Sequence, residues 1–480
     1  MSNTIIKALV SGEIIIKDLP EHVIAELKSI LSFDNPNYVN AKRYSKNGYI
    51  SNNIPEIIQC ARIDKFGYVH VPRGTIKILK SVLDKNNISL SIIDGRSVGK
   101  PINCTAVFGL RPYQRTAQIV AIKRVQGCIL LPCGGGKTVI GVSVIGKLKR
   151  TTLIIVHTKD LRDQWIAQLT DKDKIGMNPN DVGQIGDGII DIKPVTVAIV
   201  DSLFTVINDK ELRKLIKRFG ICIVDEVHHV VSNTFQKILP HVPAKWRIGL
   251  TATPEREDGT TKLMYWTIGD ELFSYETDQL VKEGYLIKAT VVPIETNFQY
   301  AGKVDCKATE YVHQMTETLI KDEQRNKLIT TIAIKEAING ESVLVLSNRV
   351  EHCKILNDII SKNRNIKSFA MTGQVNKLLR QKVLQEMREE KINILIATSL
   401  ADEGLDILAL SRLILALPSK AKGRTMQRIG RIMRPKKGKV AICYDIIDSK
   451  VPTLIVRWMK RKRIFRSMNI VIEPSRRIIV

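Results

Sequence analysis

The chain has 480 residues, 44% of them hydrophobic, and 74 Lys and Arg stand against 48 Asp and Glu for a formal net charge of +26. That length exceeds one ordinary hydrophobic core, so two or three domains are expected, and the apolar fraction excludes a wholly disordered chain. Mixed charges would be enough to solvate the surface; so large an excess points to a polyanionic partner, nucleic acid before an anionic membrane.

The first residues, Met1-Ser2-Asn3-Thr4-Ile5-Ile6-Lys7, lead into a segment broken by Glu13 and Lys17, without the uninterrupted core of a signal peptide. No apolar run reaches the length of a membrane span. The eight cysteines form no Cys-x-x-Cys pair, so neither a zinc module nor a disulfide framework is indicated. Reduced thiols in a soluble, intracellular protein are expected. Residues 1–100 combine helical stretches with polar turns and lack a nucleotide signature; they are expected to form a small accessory domain.

The run Gly127-Cys128-Ile129-Leu130-Leu131 reads as a buried strand. It enters Pro132-Cys133-Gly134-Gly135-Gly136-Lys137-Thr138, and a helix is expected from Val139. Strand, glycine turn and helix make a phosphate cradle. Gly134, Gly135 and Gly136 let backbone N–H groups face an anion, Lys137 reaches the β/γ-phosphates, and the Thr138 hydroxyl can ligate Mg2+. Leu131 stands where the full pattern has glycine. Cys133 reads as a small buried side chain rather than a nucleophile.

Four short aliphatic runs follow, at 153–156, 195–200, 221–224 and 247–250, the spacing of a parallel α/β domain. The third runs into Asp225-Glu226-Val227-His228. Carboxylates at the carboxyl end of a buried strand sit where open α/β sheets bind ligands. Asp225 is the candidate Mg2+ ligand and Glu226 the residue that polarises the attacking water. The pair His228-His229 lacks a third ligand at useful spacing and reads as structural.

After a boundary near Glu283-Gly284-Tyr285-Leu286, a second set of runs at 343–346, 392–396, 413–415 and 440–443 implies another α/β domain. Its end is basic. No acidic residue lies between Arg412 and Lys439, and the Arg457–Arg463 cluster, with Trp458 and Phe465 nearby, reads as a nucleic-acid contact. In Gln427-Arg428-Ile429-Gly430-Arg431-Ile432-Met433-Arg434, helical spacing puts Gln427, Arg431 and Arg434 on one face, as cations for the γ-phosphate. ATP would then lie in a cleft between the two α/β domains.

Together these segments resemble the superfamily 2 helicases and translocases from about residue 105 to about 445. Leu110-Arg111-Pro112-Tyr113-Gln114 resembles the adenine-reading segment, which implies base contact by Gln114 with Arg111 beside it. Pro132 to Thr138 is similar to motif I, whose first glycine is commonly absent in this superfamily. Val156-His157-Thr158-Lys159, with Leu161 and Gln164-Trp165, resembles motif Ia. Asp225 to His228 resembles motif II, Thr251-Ala252-Thr253-Pro254 motif III, Ile396 to Asp406 motif V, and Gln427 to Arg434 motif VI. The resemblance implies Gly404 and Asp406 near the nucleotide, Arg431 and Arg434 as arginine fingers, and Thr158, Lys159, Arg162 and Thr398 against nucleic-acid phosphates. Arg256-Glu257-Asp258, with Leu-Arg-Pro-Tyr-Gln and His157-Thr158-Lys159, is similar to XPB-type helicases, in which that triplet is tied to unwinding; Arg256 is a further nucleic-acid candidate.

The resemblance implies two tandem RecA-like parallel-sheet domains with a small N-terminal accessory domain, divided as 1–100, 101–285 and 286–480. It further implies a DNA-dependent ATPase using ATP and Mg2+ that unwinds or branch-migrates forked or four-way DNA, with 3′-to-5′ polarity. The expected partners are branched duplex and single-stranded DNA, gripped largely independently of sequence by a monomer, with no membrane partner. Compact phage and viral enzymes, including UvsW-like branch-migration helicases, share this plan. The Ile, Lys and Asn content fits an AT-rich genome, so the expected location is the cytoplasm of a bacterium or of a phage- or virus-infected host. A transcript-release helicase, an ATPase-dead nucleic-acid scaffold and a protein- or membrane-directed ATPase are the rival readings. Retention of Lys137, Thr138, Asp225, Glu226, Arg431 and Arg434 counts against the scaffold.

Overall fold

A computed structural model of the chain describes residues 4–44, 55–104, 109–231, 233–252, 259–302, 308–398, 407–417 and 422–477. Two compact units emerge: Met1–Leu131 with Gly136–Ser274, and Tyr275–Val480 with the turn Pro132–Gly135.

The first unit begins with a five-stranded sheet ordered Arg62–Ile63, Val69–Val71, Ile14–Ile16, Thr4–Val10 and Ile88–Asp94. Only the last pair is parallel. The helical stretches expected within residues 1–100 are present, with Glu21–Ile30 and Ile76–Lys85 carried on this mixed sheet. Its core continues into the neighbouring layer, where Leu263 and Trp266 of helix Thr261–Ile268 join Ile14, Leu27 and Leu79.

Two buried arginines fasten this sheet to the rest of the unit. Arg73 donates to the carbonyls of Ala244 and Lys245 and to Gln126 Oε1 at 2.5–2.6 Å. Arg247 donates in the other direction, to Gly12, Leu239, Val242 and Thr267 carbonyls at 2.8–3.1 Å. Burial lowers the pKa of both, Arg247 to about 10; the hydrogen bonds to carbonyl oxygens offset that desolvation. The backbones meet closely here, since a Cβ on Gly12 would collide with the carbonyl of Pro240 and one on Gly74 with that of Tyr265.

The second sheet of the unit has eight strands, ordered Ile189–Asp191, Val182–Gly186, Val195–Ile199, Thr152–Val156, Ile221–Asp225, Trp246–Thr251, Gln126–Leu130 and Glu271–Ser274. All neighbours are parallel except the first pair. Strands Thr152–Val156, Val195–Ile199 and Ile221–Asp225 are buried along their whole length. This explains their continuous hydrophobic runs: helices cover both faces of a parallel sheet, so no alternation is needed.

The second unit carries another parallel sheet, ordered Ser368–Met371, Ile394–Ala397, Ser342–Leu346, Leu410–Leu415, Ala441–Ile447, Ala289–Glu295 and Val471–Ile472. Both large sheets belong to RecA-like α/β domains, with the small N-terminal sheet beside the first. In the helix Pro452–Ser467, Trp458 and Phe465 are buried with Leu454 and Ile464. The reading of these aromatics as nucleic-acid contacts is corrected: their spacing is that of a core-facing helix stripe. Arg461 also turns inward, onto Asp445 with two bonds of 2.8 Å, while Lys460, Arg463 and Arg466 face outward. No helix among the described residues is long and apolar enough to cross a membrane.

Candidate nucleotide site

Strand Gln126–Leu130 delivers the chain to the glycine turn, which closes through Gly135 N–H donating to the Pro132 carbonyl at 3.0 Å. Gly134 and Gly136 have φ of +84° and +81°, a region that side chains disfavour. Gly136 is doubly constrained, because the Gln114 amide fills the space a Cβ would need. Gln114 is buried at the third position of helix Pro112–Arg124, and its Oε1 accepts the Arg111 backbone N–H at 3.1 Å. The adenine-segment candidates thus lie directly against the turn.

Lys137 opens the helix Lys137–Leu148, whose N-cap Gly136 supplies no side-chain acceptor. The first-turn N–H groups and the helix dipole therefore favour an anion at this end. Thr138 follows on the same first turn.

Asp225 ends its strand and Glu226 turns sharply with φ +46°. A non-glycine residue in this region costs about 1–2 kcal/mol, a strain common at functional sites. The turn brings Glu226 Oε1 to 3.2 Å from Lys137 Nζ. Its Oε2 is buried, accepts no hydrogen bond among the described residues, and has His228 Nδ1 at 3.5 Å. Burial acts to raise the Glu226 pKa, but Lys137, His228 and His157 outweigh it and hold the carboxylate below its ordinary range. Asp225 is pushed the other way, by burial first and by the Glu226 charge second. Its Oδ1 accepts the Glu226 N–H at 3.0 Å and its Oδ2 the Trp165 indole N–H at 2.8 Å.

Other contacts here were not legible from the sequence. His228 Nδ1 lies 3.0 Å from Thr251 Oγ1, joining motif II to the strand end that begins motif III. The rings of His157, His229 and His228 stack in series at 4.3 and 4.2 Å. No group of three His, Cys, Asp or Glu that could hold a metal occurs among the described residues. Adjacent histidines were visible in the sequence; their distant partners carried no local signal.

Among the nucleic-acid candidates, Thr158 caps helix Lys159–Thr170 by accepting the Leu161 N–H, and Lys159 is exposed and paired with Asp187. Arg162 is placed differently from its expected role. Its side chain is 4% exposed and committed to Asp163 and Asp187 at 2.8 and 3.1 Å, the position of a structural cation. Thr398 follows strand Ile394–Ala397, with a buried hydroxyl that makes no hydrogen bond among the described residues. Gln427 and Arg431 share a face of helix Lys422–Ile432, but the helix ends before Arg434, which lies in the following turn. Gly404, Asp406 and Arg256, with the rest of its triplet, lie outside the described residues.

A glycine turn opening a helix, a lysine in its first turn and an acidic pair on a parallel strand of the same sheet define a P-loop NTPase domain. Two family models match the chain: "Type III restriction enzyme, res subunit" over residues 108–256 and "Helicase conserved C-terminal domain" over 323–436, together more than half of its residues. The chain is 28% identical to the "DNA 3'-5' translocase XPB2" of Sulfurisphaera tokodaii, over 74% of this chain and 84% of that protein. It is 27% identical to the "Putative ATP-dependent RNA helicase L396" of Acanthamoeba polyphaga mimivirus, over 95% and 84%. The solved structure of the ATP-dependent Type ISP restriction-modification enzyme LlaBIII bound to DNA shares the fold over 76% of this chain and 30% of that one, with a TM-score of 0.56 and 17% identity.

The chain belongs to the superfamily 2 DNA helicases and translocases and is similar to XPB-type members. It is an enzyme, a helicase ATPase.

Proposed function

We propose that this ATPase drives movement along DNA, unwinding or branch-migrating forked and four-way substrates in recombination, repair or replication. The observation that carries the reading is the meeting of Lys137 and Glu226 at 3.2 Å beside Asp225, in a chain of formal net charge +26. Lys137 and the first-turn amides hold the triphosphate, Gln114 and Arg111 lie where the base would enter, and Glu226 Oε2 accepts a proton from the attacking water. Thr138 and Asp225 offer the hard oxygen donors that Mg2+ prefers. When bound, the ion neutralises charge on the phosphates. Arg431, with Arg434 and Gln427, is the candidate cation set for the γ-phosphate, and Gly404 and Asp406 are further nucleotide candidates.

Grip on DNA runs through phosphates, with Thr158, Lys159, Thr398 and Arg256 as candidates, so binding is salt-sensitive and largely independent of sequence. We read the chain as an accessory segment over 1–100 and two helicase domains over 101–285 and 286–480, working as an intracellular monomer with 3′-to-5′ polarity. The likeness to the mimivirus protein, by its name a putative ATP-dependent RNA helicase, supports a second reading in which the substrate contains RNA, as in transcript release by a viral-type helicase. One assay panel separates them: ATP-dependent unwinding of 3′-tailed, 5′-tailed, forked and four-way DNA, RNA duplexes, and stalled transcription complexes. The proposal expects activity on forked and four-way DNA; activity on stalled complexes or RNA alone overturns it.

A further inference from the structure

The helix Lys159–Thr170 carries Trp165, a side chain with no exposed surface. Two contacts define its place. The indole N–H donates to Asp225 Oδ2 at 2.8 Å. The far edge of the ring lies against the helix of the glycine turn, where a Cβ on Gly141 would stand 2.5 Å from Trp165 Cη2. Gly141 sits one helical turn after Lys137. The absence of a side chain at that position is what admits the ring.

The indole therefore bridges the helix that bears Lys137 and Thr138 and the carboxylate at the end of strand Ile221–Asp225. A carboxylate has acceptor sites to spare on each oxygen, so one donor to Oδ2 fixes its plane and leaves a lone pair for a cation. The donor is also neutral. A lysine or arginine in its place would satisfy Asp225 fully and compete with a metal; an indole orients the group without cancelling its charge.

We infer that Trp165 is a positioning residue for the metal-binding carboxylate: it sets the orientation of Asp225 and its spacing from the helix of the glycine turn. This rests on the nucleotide-site reading above, and the test is built so that the two can fail separately. Mn2+ binding to the full chain in the presence of ADP is followed by electron paramagnetic resonance, with ADP affinity measured without metal and thermal midpoint recorded alongside. Trp165→Phe keeps a ring against Gly141 and removes the N–H. It is expected to weaken Mn2+ binding by about tenfold, the loss of one hydrogen bond to a charged group, and to leave metal-free ADP affinity within about twofold. Gly141→Ala keeps the N–H but displaces the ring, and is expected to weaken Mn2+ in the same direction. It carries the test by itself if Trp165→Phe does not fold.

Leu169→Ala, on the same helix and equally buried, is the control for general destabilisation. It is expected to lower the thermal midpoint and leave Mn2+ affinity unchanged. Wild-type Mn2+ affinity in both Trp165→Phe and Gly141→Ala overturns the inference while the nucleotide site stands. Failure of the wild-type chain to bind Mn2+ with ADP overturns the nucleotide-site reading itself.

Discussion

Asp225 in the first unit and Asp445 in the second are both buried aspartates on strands of a parallel sheet, and burial raises the pKa of each. Their partners differ. Asp445 receives two bonds of 2.8 Å from the Arg461 guanidinium, a bidentate pair that satisfies its charge. Asp225 receives an indole N–H and a backbone N–H, both neutral. Burial alone does not mark a functional carboxylate; the charge of its partner does. A carboxylate closed by arginine is architecture, whereas one oriented by neutral donors keeps its charge for a ligand.

The contrast can be broken from either side. Arg461→Ala leaves Asp445 buried without its cation, and about 3–5 kcal/mol of stability should go. Denaturant unfolding checks this, and a loss close to zero would make Asp445 no different from a surface carboxylate. Lys137→Ala should leave the fold intact and cut ATP turnover by about a hundredfold or more, roughly 3 kcal/mol of transition-state stabilisation. Nucleic-acid binding should persist, and steady-state ATPase with a parallel filter-binding assay reads both.

A smaller effect is expected from His352 of the second unit, buried between Ser347 Oγ and Asn326 Oδ1 at 2.9 Å each. Burial first, and Arg325 second, push its pKa down to about 3. The folded state resists protonation, so stability is complete above the unfolded value near 6.5 and falls as pH drops towards about 3. The loss should reach roughly 2 kcal/mol by about pH 5, and His352→Gln should flatten that dependence. Unfolding midpoints measured across this range decide it.

Much of the two large sheets was legible because fully buried parallel strands are written as unbroken aliphatic runs, as in Leu153-Ile154-Ile155-Val156. The glycine turn and Asp225-Glu226 were legible for a related reason: a phosphate cradle and a metal carboxylate demand particular residues at fixed local spacing. The N-terminal sheet was not, since strands such as Ile14–Ile16 and Val69–Val71 are three residues long and too short to show a period. Trp458 and Phe465 misled because basic neighbours suggested a surface, although Leu454, Trp458, Arg461 and Phe465 repeat at the interval of a buried helix stripe. The Trp165–Asp225 bond joins residues 60 apart, and nothing local to either announces it.

In the proposed function, the pair Asp225-Glu226 beside Lys137 is the hydrolytic centre of a DNA-driven motor. DNA-stimulated ATP hydrolysis by Glu226→Gln, with ATP binding measured on the same protein, tests it most directly. The expected result is ATP affinity near that of the wild type with turnover reduced by about two orders of magnitude or more, with or without DNA. Hydrolysis at the wild-type rate would contradict it.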